Sequence, residues 1–177
     1  MVPLPFVGVD LTAGVRPVDV AALDPSGRSV AFRQVRSDDE LCGVLQELGA
    51  EVVAVDSPMD LPSGLCCLEE DCSCVPSGPG TGRSAERALA ALGIPCFWTT
   101  KRTIIKKMVY RAIALKERLE ASGYTVLEVY PYAVKRILFG RHLPRKSRPE
   151  GIAFLIDGAK SELPSCAWPA LWAPSHD

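Results

Sequence analysis

Three acidic side chains stand at the ends of apolar runs. Asp10 lies in the run 5–12, Asp56 closes the run 51–56, and Glu128 sits near the end of the run 124–130. Neighbouring strands are about 4.8 Å apart, so acids at adjacent strand ends reach a common cation. Left alone, such carboxylates repel one another and lose hydration. A divalent ion relieves both penalties, and hard oxygen donors select magnesium or manganese. Two such ions, held about 3.5–4 Å apart, clamp the attacking and leaving oxygens of a phosphodiester. Asp10, Asp56 and Glu128 are therefore the candidate catalytic acids and the candidate Mg²⁺ or Mn²⁺ ligands. Any one of them alone reads more plainly as a turn residue. Three on one inferred edge favour the metal site.

A second constellation is made of sulfur. Cys66, Cys67, Cys72 and Cys74 have the spacing C-C-x4-C-x-C. Four thiolates so close could hold zinc or an iron–sulfur centre, and a redox-active or disulfide-forming pair is the alternative. The seven cysteines are an odd number. An odd, clustered set suits a reducing compartment better than a secreted disulfide frame, which points to the cytoplasm. Cys42, Cys96 and Cys166 read as packing residues. The N-terminus lacks the basic and small-residue pattern of a secretory signal. No apolar run approaches the roughly 18 residues of a membrane span.

Charge is balanced overall at −1 and unbalanced along the chain. Residues 1–100 carry 6 Lys/Arg against 14 Asp/Glu, and residues 101–177 carry 14 against 7. The basic residues form two bursts, one over 101–118 and one over 135–148. Basic clusters beside an acidic site suit a polyanion that docks through its phosphates. Lys101, Lys106, Lys107, Arg145 and Lys146 are the candidate nucleic-acid contacts. A solvated helix face is the plainer reading of either burst by itself. His142 in the second burst could contact phosphate, and neither His142 nor His176 reads as a metal ligand.

These residues need a scaffold. The 177 residues suit one domain, and 47% hydrophobic with 23% charged residues is ordinary globular composition. The runs 18–23 and 29–35 flank Asp24-Pro-Ser-Gly27 and form a hairpin. Ser37-Asp-Asp-Glu40 is a capping box before Leu41, Val44, Leu45 and Leu48, and Gly49 stops that helix. The spacing predicts further helices over 83–92 and 103–121, and one opened by Pro131 and stopped at Gly140. The runs ending in the three acids read as buried strands. A Cys-, Gly- and Pro-rich insertion occupies 62–82, and an irregular tail occupies 164–177. The expected architecture is an α/β fold, a mixed five-stranded sheet in the order 3-2-1-4-5 with helices on its faces. Ligands in such sheets bind beyond the carboxyl ends of the parallel strands.

Gly8-Val-Asp10, Val53-Ala-Val-Asp56-Ser-Pro, the Cys66–Cys74 cluster, Glu86-Arg-Ala-Leu, Leu92-Gly-Ile94 and Leu127-Glu-Val-Tyr-Pro131 occur in this order. Together they resemble domain-of-unknown-function family 429, over most of residues 6–147. Members of that family are described as predicted nucleases with an RNase H-like fold. The resemblance implies that fold, a nuclease activity, and acid roles for Asp10, Asp56 and Glu128. Family members are similar in a final helix that starts near His-Asp or His-Glu. This chain stops at Ser175-His176-Asp177, so the resemblance implies a C-terminal helix cut off as it begins, impaired second-metal binding and an uncovered apolar sheet surface that invites self-association.

The leading functional expectation is a metal-dependent nuclease acting on DNA or RNA. The alternative is a non-catalytic nucleic-acid-binding or scaffold protein on the same fold. A phosphotransferase of the actin-like or sugar-kinase type ranks behind both, because it needs a second related domain to clamp ATP.

Overall fold

The computed structural model describes residues 4–14, 16–28 and 30–168. The end of the tail, including His176 and the expected start of a final helix, lies outside the described residues.

Alternating burial builds the sheet. In β1 (Phe6–Asp10) Val7 and Val9 are buried, and in β2 (Val18–Leu23) Val18, Val20 and Ala22 are. β3 (Val30–Val35) pairs antiparallel with β2. The turn between them is tied by Asp24, whose carboxylate accepts from Ser26 Oγ at 2.9 Å and from the Arg28 N–H at 2.8 Å. β4 (Val52–Val55) and β5 (Thr125–Glu128) complete a sheet in the order β3-β2-β1-β4-β5, with β1, β4 and β5 mutually parallel. This is the expected order.

One face of the sheet carries the core. Val7, Val9, Val53 and Val55 pack with Leu41 and Leu45 of α1 (Asp38–Leu48) and with Leu115 and Leu119 of α3 (Lys106–Ala121). The capping box at α1 forms as its residue types require. Ser37 Oγ accepts from the Glu40 N–H at 3.1 Å, and Glu40 Oε2 accepts from the Arg36 N–H at 2.6 Å. Gly49 ends the helix at φ 66°, a left-handed conformation that costs glycine little. α2 (Ser84–Ala91) follows the long loop 57–82, and α4 (Pro131–Phe139) starts on Pro131.

Two elements differ from expectation. β5 holds its expected place at the end of the order but was expected to be buried, and it is largely exposed, with Leu127 47% accessible. An apolar run does not reveal how little packs over the last strand. Beyond Gly140 the sequence predicts no regular element, but α5 spans Pro149–Glu162. Its glycines hide it, since glycine weakens a helix by about 1 kcal/mol relative to alanine. They are there for close approach. A Cβ on Gly151 would lie 2.0 Å from the Arg145 carbonyl oxygen, and one on Gly158 would lie 2.7 Å from the Phe139 ring. Phe154 of α5 meets Phe139 edge-on at 5.5 Å.

The second face of the sheet, with Phe6, Gly8, Ala21 and Ala54, borders a cavity of about 500 Å³. Leu163 and Trp168, just after α5, also line it. Among the described residues no helix is long and apolar enough to cross a membrane.

Candidate active site

Asp10 and Asp56 come together because β1 and β4 are in register. Val9 faces Val55, and the Asp56 N–H continues the ladder to the Val9 carbonyl at 2.9 Å. Each acid follows a core valine, so alternation turns both toward the second face, away from α1 and α3. The Asp56 carboxyl is pushed up to about 6 by burial and then by the Asp10 charge, against the opposing pull of Lys135 and Lys146. Lys135 comes from α4, where burial first and Lys146 second pull its pKa down and Asp56 raises it. The site is thus two crowded carboxylates faced by two ammonium groups. Repulsion between acids forced into adjacency is what a divalent cation relieves, and their oxygens are donors of the right hardness.

Glu128 has other partners. It faces Val55 across β4 and β5, so alternation places it on the core face rather than beside the two aspartates. Arg83 holds it in a two-pronged bond, Nη1 to Oε2 at 2.7 Å and Nη2 to Oε1 at 2.6 Å. The Met59 N–H also donates to Oε2, at 2.9 Å. With both oxygens engaged, Glu128 is an anchor for Arg83 rather than a third acid in a shared cation site. The expected gathering of three carboxylates is a gathering of two.

Arg83 and Glu86 are site residues that sequence reasoning missed. Arg83 is 8% exposed and Glu86 2%. Arg83 Nε donates to Glu86 Oε1 at 2.9 Å, and the Arg83 N–H donates to Oε2 at 3.0 Å. Thr99 adds its hydroxyl and its N–H to the same carboxylate, at 2.5 and 2.9 Å. Burial opposes the charge on Arg83, and the bonds to Glu128 and Glu86 outweigh it, so its pKa is raised. Burial likewise opposes ionisation of Glu86, and Thr99 and Arg83 overcome it, so its pKa is lowered. Removing one partner from such a buried set costs about 3–5 kcal/mol, because a charge is left unpaired. The available signal was Gly82-Arg-x-x-Glu at a helix start. Gly82 sits at φ 69°, and a Cβ there would lie 2.2 Å from Glu86 Oε2.

The candidate nucleic-acid residues divide. The Lys101 ammonium bonds to the Cys72 carbonyl, and Lys106 pairs with Glu69 at 3.2 Å. Both therefore serve the cysteine loop. Lys107 is exposed on α3, and Arg145 and Lys146 are exposed ahead of α5. Most of the first basic burst is neutralised within the molecule. Arg111 pairs with Asp38 at 2.6 Å, Arg118 with Asp39 at 2.7 Å, Lys116 with Asp60 at 3.4 Å and Arg102 with Glu70 at 3.5 Å. The second burst keeps Lys135 and Lys146 beside Asp56. His142 is exposed, and Tyr130 is half-buried with its hydroxyl donating to the Pro95 carbonyl at 2.9 Å.

The sulfur constellation also gathers. One ligand atom from each of Cys66, Cys67, Cys72 and Cys74 lies within 4.8 Å of all the others, so the four could hold a metal ion. Backbone hydrogen bonding at Cys66 holds the Cys74 thiol down at about 6, and contact with the Cys72 sulfur pushes Cys66 up to about 12.

No protein-family model matches the chain, and no curated protein matches it.

Proposed function

We propose that the protein is a metal-dependent phosphodiesterase acting on nucleic acid in the cytoplasm, with Asp10 and Asp56 as its metal-binding acids. The observation that carries this reading is the placement of these two carboxylates on adjacent strand ends, opposite Lys135 and Lys146. Asp10 and Asp56 would hold Mg²⁺ or Mn²⁺, which when bound would polarise a phosphate and lower the pKa of a water. Lys135 and Lys146 would orient phosphate oxygens against that edge, with Arg145 and Lys107 extending the contact along the backbone. The sheet order supports an RNase H-like assignment, as do the motifs that resemble domain-of-unknown-function family 429. The cytoplasmic setting is supported by the odd, clustered thiols.

A non-catalytic nucleic-acid-binding reading is favoured by one observation, the engagement of Glu128 by Arg83, which leaves two acids where a two-metal site uses more. Cleavage of single- and double-stranded DNA and RNA by the purified chain separates the two. Under the catalytic reading, Mg²⁺ or Mn²⁺ activates cleavage and chelation abolishes it. Asp10→Asn lowers the rate at least a hundredfold with an unchanged circular dichroism spectrum. Equal cleavage by metal-stripped and metal-loaded protein overturns that reading. Salt-sensitive binding without cleavage under any metal establishes the scaffold.

A further inference from the structure

The loop 57–82 begins next to Asp56 and ends next to Arg83, so both of its ends belong to the candidate site. Between them the chain folds back on itself. The Ser77 N–H bonds to the Ser63 carbonyl at 2.7 Å and closes a neck. Gly64 at that neck is at φ 86°, where a Cβ would lie 2.5 Å from the Ser77 nitrogen. Inside the neck, Leu68 is fully buried and its N–H bonds to the Tyr110 hydroxyl at 2.6 Å. That hydroxyl in turn donates to Glu69 at 3.0 Å. The four clustered cysteines lie between the two sides of this neck, Cys66 exposed and the other three half-buried.

We propose that Cys66, Cys67, Cys72 and Cys74 form a closed structural site for a single zinc ion, which staples the loop joining Asp56 to Arg83. The sulfur spacing decides between one ion and a cluster. A tetrahedral Zn–S length of about 2.3 Å puts thiolates about 3.8 Å apart. The Cys66 and Cys72 sulfurs are 3.6 Å apart, and the whole set lies within 4.8 Å. An iron–sulfur cluster would seat its iron atoms between the thiolates and hold them further apart. Adjacent cysteines reach one tetrahedral ion only where the chain turns sharply. The chain turns sharply enough to bring both sulfurs to the same centre.

The surroundings suit that charge. Four thiolates around Zn²⁺ leave two negative charges. The Lys101 ammonium sits on the Cys72 carbonyl, while Lys106 is already offset by Glu69. Metal-bound sulfur is commonly stabilised by such neighbours. Binding displaces the thiol protons to solvent and involves no change of oxidation state. This inference is independent of the catalytic reading, since its ligands and its function are separate from Asp10 and Asp56.

The test is elemental analysis of the full chain, purified under reducing conditions and reconstituted with zinc alone. One zinc per chain is expected. Cobalt replacement should give the visible absorption of tetrahedral thiolate cobalt. Cys66→Ser and Cys74→Ser should each lower zinc content at least tenfold, whereas Cys96→Ser should leave it at one. Hydrogen exchange across 57–82 should rise several-fold on zinc removal in the parent chain, which keeps the idea testable if a serine variant fails to fold. Stoichiometric iron with sulfide, a Cys66–Cys72 disulfide that persists with excess reductant and zinc, or no cobalt spectrum would each overturn the proposal.

Discussion

At the scale of single residues, the informative feature is that Asp56 is held where burial and the neighbouring Asp10 oppose its ionisation. Asp56 has its proton affinity raised by burial and by Asp10, to about 6 from 3.8. Below pH 3.8 the carboxyl is protonated in folded and unfolded chains alike. Between 3.8 and about 6 the folded protein keeps a proton that the unfolded chain has lost. Stability contributed by this group is therefore present at low pH and is lost as pH rises through that window. Asp56→Asn abolishes the titration. Without divalent cations, thermal unfolding should show the variant melting a few degrees above the parent at pH 7, with the gap closing toward pH 4. Added Mg²⁺ or Mn²⁺ should raise the parent at pH 7 and not the variant. Parallel melting curves across pH would show that the Asp56 carboxyl is not strained.

At the scale of elements, legibility followed the reach of the physics in each segment. Local rules set α1, so its capping box and Gly49 stop were visible in the chain. The hairpin and the run of strands up to β4 were visible for the same reason. What required partners distant in sequence was not. The exposure of β5 depends on what packs over it, although its place at the end of the order was expected. The diversion of Glu128 depends on Arg83, which is brought 45 residues along the chain to meet it. The helix α5 was obscured because its glycines answer to packing rather than to propensity. That last point is testable. On an exposed helix, Gly→Ala gains about 1 kcal/mol. At Gly151 the new methyl would meet the backbone of Arg145, an obstacle that no side-chain rotation removes. Overpacking of this kind costs about 1–3 kcal/mol, so Gly151→Ala should destabilise the protein in denaturant unfolding. It should also shift the loop carrying Arg145 and Lys146 and weaken phosphate binding. A variant as stable as the parent would mean that α5 does not press on that loop.

At the scale of the whole molecule, the charge asymmetry between the two halves of the chain takes on a second meaning. Acids of the first hundred residues and bases of the remainder are partners in folding: Asp38 with Arg111, Asp39 with Arg118, Asp60 with Lys116, Glu69 with Lys106 and Glu70 with Arg102. These pairs are mostly exposed and individually worth about 0–1 kcal/mol. Their larger consequence is to neutralise the first basic burst as a binding surface. A polyanion would then meet chiefly the second burst, where Lys146 stands beside the aspartate edge and Arg145, its neighbour in the chain, is exposed. Each phosphate contact contributes roughly one unit to the slope of log affinity against log salt. Lys146→Ala and Arg145→Ala should each reduce that slope by about 1 in a fluorescence titration with single-stranded DNA or RNA. Lys101→Ala and Lys106→Ala should leave the slope unchanged and instead loosen the cysteine loop, detected as lower retention of zinc. The opposite division, with salt dependence lost at Lys101 and Lys106 and kept at Lys146, would place the polyanion along α3. It would also mean that the Lys106–Glu69 ion pair and the Lys101 bond to the Cys72 carbonyl open in solution.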